Sequence, residues 1–260
     1  MFSRTWVTGW AIVLIAAPIL GACDSDVVFQ DRELFEQPTN AALGMLGYSD
    51  QTAGVTTCGN CHVGVQSSWA QTAHAEAWET LEANPASQAF CEGCHTVSEL
   101  GNTLDVPAGY TATGEDRYHD VQCESCHGPG LDHVEQPGAS QPLAAMSVGV
   151  DLTLGCGECH QGTHHPFAEE WAESGHGSVN VGVANREACE SCHSGEGALK
   201  AWGVEVRFAE TGLDQPDNHL EITCAVCHDP HGSTNSGQLR FPVDVANEEQ
   251  NLCMKCHHKR

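Results

Sequence analysis

Cysteine pairs separated by two residues, each followed at once by histidine, occur seven times: Cys58-Gly-Asn-Cys61-His62, Cys91-Glu-Gly-Cys94-His95, Cys123-Glu-Ser-Cys126-His127, Cys156-Gly-Glu-Cys159-His160, Cys189-Glu-Ser-Cys192-His193, Cys224-Ala-Val-Cys227-His228 and Cys253-Met-Lys-Cys256-His257. Two thiols at this spacing reach the two vinyl groups of a haem as thioethers, and the next residue offers an imidazole to the iron. Zinc knuckles, thioredoxin-like redox pairs and disulfide frameworks also use C-x-x-C, but they do not require the histidine. Fourteen of the fifteen cysteines sit in these motifs, so seven covalently bound c-type haems are expected, and with them the transport of electrons.

The elements that must hold these groups repeat. The first cysteines of successive motifs lie 33, 32, 33, 33, 35 and 29 residues apart, the mark of an internal repeat. After motif one comes Trp69-Ala-Gln-Thr72-Ala-His74, and after motif four Trp171-Ala-Glu-Ser174-Gly-His176, both W-x-x-[ST]-x-H. His119 precedes motif three by four residues and His219 precedes motif six by five; His133 and His231 follow the same two motifs. A three-haem unit duplicated in tandem is inferred, followed by one terminal haem at Cys253.

That duplication organises the remaining histidines. Sixteen histidines less seven proximal ligands (His62, His95, His127, His160, His193, His228 and His257) leave nine, and full bis-histidine ligation needs seven. His74, His119 and His133 match His176, His219 and His231, which supplies six distal ligands. The seventh falls among His164, His165 and His258, with His258 facing a haem other than that of its neighbour His257. Which distal histidine serves which haem is open at this stage. Met45 and Met146 read as apolar filler.

These residues resemble the cytochrome c-554 family of multihaem c-type cytochromes, in which W-x-x-[ST]-x-H, C-E-S-C-H-G-P-G-x-x-H and C-H-D-P-H-G recur. The resemblance covers roughly Thr57 to Lys259, and seven motifs exceed the family's four. It implies stacked haems in a largely helical wrapping, and distal roles for His74, His133, His176 and His231. The fold class expected is mainly α with extensive loops, short helices wrapped around stacked haems and little or no β.

Residues 1–22 read as a lipoprotein signal peptide ending Leu20-Gly21-Ala22 before Cys23, the acylated residue. An uncleaved anchor is the rival reading. Either places the protein outside the cytoplasm, on the periplasmic or cell-surface face of a bacterial membrane. Residues 23–56 form a tether that docks at least partly through Phe29, Leu34, Phe35 and Leu46; 57–155 form the first three-haem unit, and 156–260 the second with the C-terminal haem. Without the signal, nine basic residues oppose thirty-five acidic ones, a balance of 9 − 35 = −26. Such a surface suits redox proteins with basic docking surfaces and argues against nucleic acid as a partner.

Two function classes follow, with a third behind them. In the first, every iron is capped by histidine on both sides and electrons pass between membrane and periplasmic or surface partners at low potential. In the second, one haem keeps an open side and reduces or oxidises a small nitrogen or sulfur species beside Tyr110, Arg117, Tyr118 and His119. The third is a subunit of a cytochrome filament.

Overall fold

The computed structural model describes residues 42–145, 152–204 and 219–258; the signal segment, Cys23, most of the tether and Met146 lie outside them. Phe35–Arg260 forms one compact unit, in which the two sequence repeats interleave. Its regular structure is short helices joined by loops. The sheet consists of two strands, Tyr48–Asp50 and Val55–Thr56, paired antiparallel with a bulge. Among the described residues no helix exceeds seven residues, and none is long and apolar enough to cross a membrane.

Helices this short are marginal in water on their own, so something other than local propensity must hold them. Apolar packing contributes little. One buried cluster joins Met45, Val97, Ala108 and Tyr118; another joins Ala198, Leu199 and Val226. Large apolar side chains remain exposed beside the motifs, among them Val63 next to His62 and Phe90 next to Cys91. A chain with such sparse cores leaves most of its burial to the groups it attaches.

Each motif folds as a single helical turn. In motifs one, four, six and seven the histidine N–H donates to the carbonyl of the first cysteine, at 2.8–3.0 Å. That turn sets both thiols on one face, because residues three apart are helix neighbours.

One acidic residue within a motif ties distant segments together. The Glu124 carboxylate, almost fully buried, accepts hydrogen bonds from the backbone N–H groups of Leu46, Gly47 and Gly130 at 2.8–3.0 Å. Gly130 opens the helix Leu131–Glu135, which carries His133. The chain at Gly47 takes a φ of +68°, where a Cβ would stand 2.5 Å from the Arg117 carbonyl oxygen, so glycine is required there. Burial pushes the Glu124 carboxyl up to about 7, against the pull of the three N–H donors. Replacing Glu124 with alanine leaves those donors buried without partners. Glu124→Ala is expected to lower the stability of the haem-loaded protein by at least about 3 kcal/mol in denaturant titration, more than the equivalent change at exposed Glu79.

Candidate haem sites

The W-x-x-[ST]-x-H segments fold alike, and each residue of the motif has a task. The Trp69 Nε1–H donates to the Val121 carbonyl at 3.0 Å, and that of Trp171 to the Ile222 carbonyl at 2.8 Å. Both carbonyls lie two residues before a motif, so each indole docks the helix that precedes a histidine-bearing turn against motif three or six. The hydroxyl of Thr72 donates to the Trp69 carbonyl at 2.8 Å, and that of Ser174 to the Trp171 carbonyl at 2.6 Å. These bonds close the helix and turn the chain so that His74 and His176 leave it at the same angle.

The turn delivers those histidines to partners far along the chain. Ring centres of His74 and His160 stand 6.2 Å apart, and those of His176 and His257 6.1 Å. His62 and His133 stand 6.2 Å apart, and His127 and His231 6.3 Å. Stacked rings in direct contact are closer; the His119 imidazole lies on the Trp78 indole at 3.8 Å. Two imidazoles on opposite faces of one metal ion, each nitrogen about 2 Å from it and each ring centre roughly 1.1 Å further, stand about 6 Å apart. The four pairs therefore have the separation that a six-coordinate haem iron requires, each with one motif histidine and one from elsewhere.

Hydrogen bonds at the other ring nitrogen fix the orientation. Nδ1 of His95, His127, His133 and His228 donates to the carbonyls of Ala77, Pro142, Ser140 and Gly237 at 2.6–2.7 Å. This selects the tautomer whose Nε2 lone pair is free for metal and raises its basicity. Burial lowers the pKa of His74 and His127 and pushes His160 down to about 4, so these rings stay neutral, the form that binds iron.

The remaining histidines are placed differently. His165 also lies 6.0 Å from His160, but it is exposed where His74 is partly buried. His119 is sandwiched by Trp78 and Tyr110, and its Nε2 is buried without a hydrogen-bond partner. His219 is held at both nitrogens, Nδ1 by Glu196 and Nε2 by Asn185 at 2.9 Å. His258 bonds the Met254 carbonyl through Nδ1. Among the described residues, His95, His193 and His228 face no second imidazole at about 6 Å, and His119, His219 and His258 are not brought to that distance from any motif histidine.

Of the acid–base cluster expected before motif three, Tyr110 and His119 adjoin, with ring centres 5.4 Å apart, while Arg117 and Tyr118 are held by other partners. Arg117 pairs with Glu115 at 2.9 Å and lies over the Tyr118 ring; Tyr118 is fully buried and donates its hydroxyl to the Met45 carbonyl at 2.8 Å. Both are structural. Glu124 and the two tryptophans were not singled out from sequence as positioning residues.

Comparison with known proteins finds multihaem c-type cytochromes among the relatives. Residues 57–128 match the family model "Cytochrome c554 and c-prime", and residues 220–260 match the doubled CXXCH motif. The chain is 28% identical over 202 residues to the multiheme cytochrome MtrA of Shewanella baltica, covering 68% of this chain and 54% of that one. It is 27% identical over 168 residues to the C-type polyheme cytochrome OmcC of Geobacter sulfurreducens, covering 53% and 22%. It is 32% identical over 133 residues to cytochrome c-554 of Nitrosomonas europaea, covering 40% and 54%. The chain thus spans about half the length of the first relative and under a quarter of the second. No solved structure matches.

Removing either indole hydrogen bond tests the positioning role. Trp69→Phe and Trp171→Phe are each expected to cost about 1–2 kcal/mol in thermal unfolding, because the carbonyls of Val121 and Ile222 lose their partner while most apolar contact stays.

Proposed function

We infer that this multihaem c-type cytochrome, which resembles the cytochrome c-554 family, carries electrons through seven haems whose irons are capped on both sides by histidine. The observation that supports this best is the set of four imidazole pairs 6.1–6.3 Å apart. On this reading His133 is the distal ligand for motif one, His231 for motif three, His74 for motif four and His176 for motif seven. His119, His219 and His258, with His164 and His165, are the candidates for motifs two, five and six. His119 is the readiest, because its buried Nε2 makes no hydrogen bond and stands only 3.6 Å from the Asp116 carboxylate.

Haem iron, when bound, supplies a one-electron couple. The chain's part is to hold two neutral imidazoles on each iron, exclude substrates and set the potential. Histidine on both sides keeps that potential low, since methionine ligation raises it. The acidic surface fits redox partners with basic docking faces, and Cys23 as a lipid anchor would hold the protein to a membrane outside the cytoplasm.

Small-substrate redox chemistry is the second reading, and motif two favours it. Among the described residues His95 faces no second imidazole at about 6 Å, and Tyr110 lies close by, against Trp78 and His119.

Electron paramagnetic resonance of the oxidised protein separates the two. Low-spin signals alone, with no carbon monoxide binding after reduction, are expected; a high-spin signal with carbon monoxide bound would give motif two to catalysis. The low-spin spectrum is also expected to persist from pH 7 to pH 5. Burial lowers the pKa of His74 and pushes that of His160 down to about 4, so both rings facing the motif-four site favour the neutral form that binds iron. His74→Met should raise the potential of one haem and leave the rest in place, read by redox titration.

A further inference from the structure

Two of the ring hydrogen bonds end on one short stretch of chain. His133 donates through Nδ1 to the Ser140 carbonyl at 2.6 Å, and His127 donates to the Pro142 carbonyl at 2.7 Å. Only six residues (133 − 127) separate these histidines, yet His133 faces His62 of motif one while His127 of motif three faces His231. Segment 140–142 thus holds one imidazole at each of two irons. It is anchored at both ends: the N–H groups of Ala139 and Ser140 donate to the Gln136 carbonyl at 2.9 and 3.2 Å, and that of Ala145 to the Cys126 carbonyl at 3.4 Å. Residues 137–139 and Gln141 are exposed, so the stretch lies on the surface with its carbonyls turned to the two rings.

Ring orientation separates these two pairs from the others. The planes of His62 and His133 are inclined by 24°, and those of His127 and His231 by 16°; the His74–His160 and His176–His257 pairs are inclined by 54° and 59°. Among the described residues, no ring nitrogen of the strongly tilted pairs is hydrogen-bonded. An imidazole bound through Nε2 can still turn about its bond to the metal. A hydrogen bond from Nδ1 to a fixed carbonyl stops that turn and makes the ring a stronger donor, which stabilises the oxidised iron. The second repeat keeps only half of the arrangement. His228 bonds the Gly237 carbonyl as His127 bonds that of Pro142, but His231, the counterpart of His133, is exposed with Nδ1 3.9 Å from the Asp229 carboxylate.

We propose that segment 140–142 is a shared positioning strap for motifs one and three, which keeps the imidazole planes of both pairs near parallel and lowers the two haem potentials together. Any displacement of the strap then reaches both irons at once, whereas motifs four and seven are untouched by it. The proposal rests on the reading above, in which His133 and His127 are ligands of different irons.

Deleting Gln141 tests it, because the strap is shortened between its two carbonyls and they no longer reach both rings. In potentiometric titration of the haem-loaded protein, two centres should rise together, each by about tenfold in its reduction equilibrium, the equivalent of about 59 mV for one electron. Their electron paramagnetic resonance signals should change with them, since the angle between the ligand planes sets the anisotropy of a low-spin ferric ion. Pro142→Gly keeps the chain length and frees the backbone; a smaller rise at the same two centres is expected, which guards against a deletion that disturbs folding. Gly138→Ala, in the same stretch with nothing within 4 Å of the added Cβ, should move neither. His133→Met removes one ring bond and marks motif one by its raised potential, so deleting Gln141 in that background should shift one centre, motif three. A rise at one centre in the otherwise unaltered protein, at none, or at every centre alike would overturn the strap. Unchanged potentials in His133→Met would overturn the ligand reading beneath it.

Discussion

Everything else in this structure depends on pairs of imidazoles whose residues are far apart in sequence and stand about 6 Å from each other in the fold. The four imidazole pairs join positions separated by 71 residues (133 − 62) to 104 residues (231 − 127). A link that closes a loop of about 100 residues removes roughly 4–5 kcal/mol of chain entropy from the unfolded state, by analogy with a disulfide. Several such links, added to thioether attachment, can replace the apolar core that the helices lack. The same coupling makes haem binding part of folding, because the paired histidines are brought together only in the folded chain.

Legibility in the sequence follows from how local each feature is. The C-x-x-C-H turns, the helical and loop-rich character and the W-x-x-[ST]-x-H segments could all be read, because each is decided within a few residues. The pairing of His74 with His160 could not, since it depends on where the Trp69 indole docks, on a carbonyl fifty residues away. Glu124 was unreadable for a related reason. Glutamate also stands in motifs two, four and five, and nothing in the spacing says that this one alone caps the N–H groups of Leu46, Gly47 and Gly130. Arg117 and Tyr118 have chemistry that suggests a reactive site, yet their partners spend it on structure.

Electrostatics and burial act on the sites in the same direction. Burial disfavours the protonated imidazole, which keeps His74, His127 and His160 available to metal. Burial likewise favours the neutral form of the carboxyls inside the motifs, raising the pKa of Glu124 to about 7 and that of Glu158 as well. Glu158 is itself tied to the first repeat by the N–H of Gly101.

The duplication is kept in contact geometry more faithfully than in ligand exchange, and the exception has a cause. His74 of the first repeat faces motif four, and its counterpart His176 faces motif seven, a shift of three motifs in both cases. His133 faces motif one, so strict repetition would send His231 to motif four. It faces His127 of motif three instead. Motif four is already occupied, because the partly buried His74 reaches His160 from the preceding repeat, while His231 remains half exposed and free to take the neighbouring ring. Each sequence repeat thus sends a histidine toward a motif of the other, His74 to His160 and His231 to His127. That reassignment binds motif three to the segment after motif six, and it makes two sequence repeats a single compact unit.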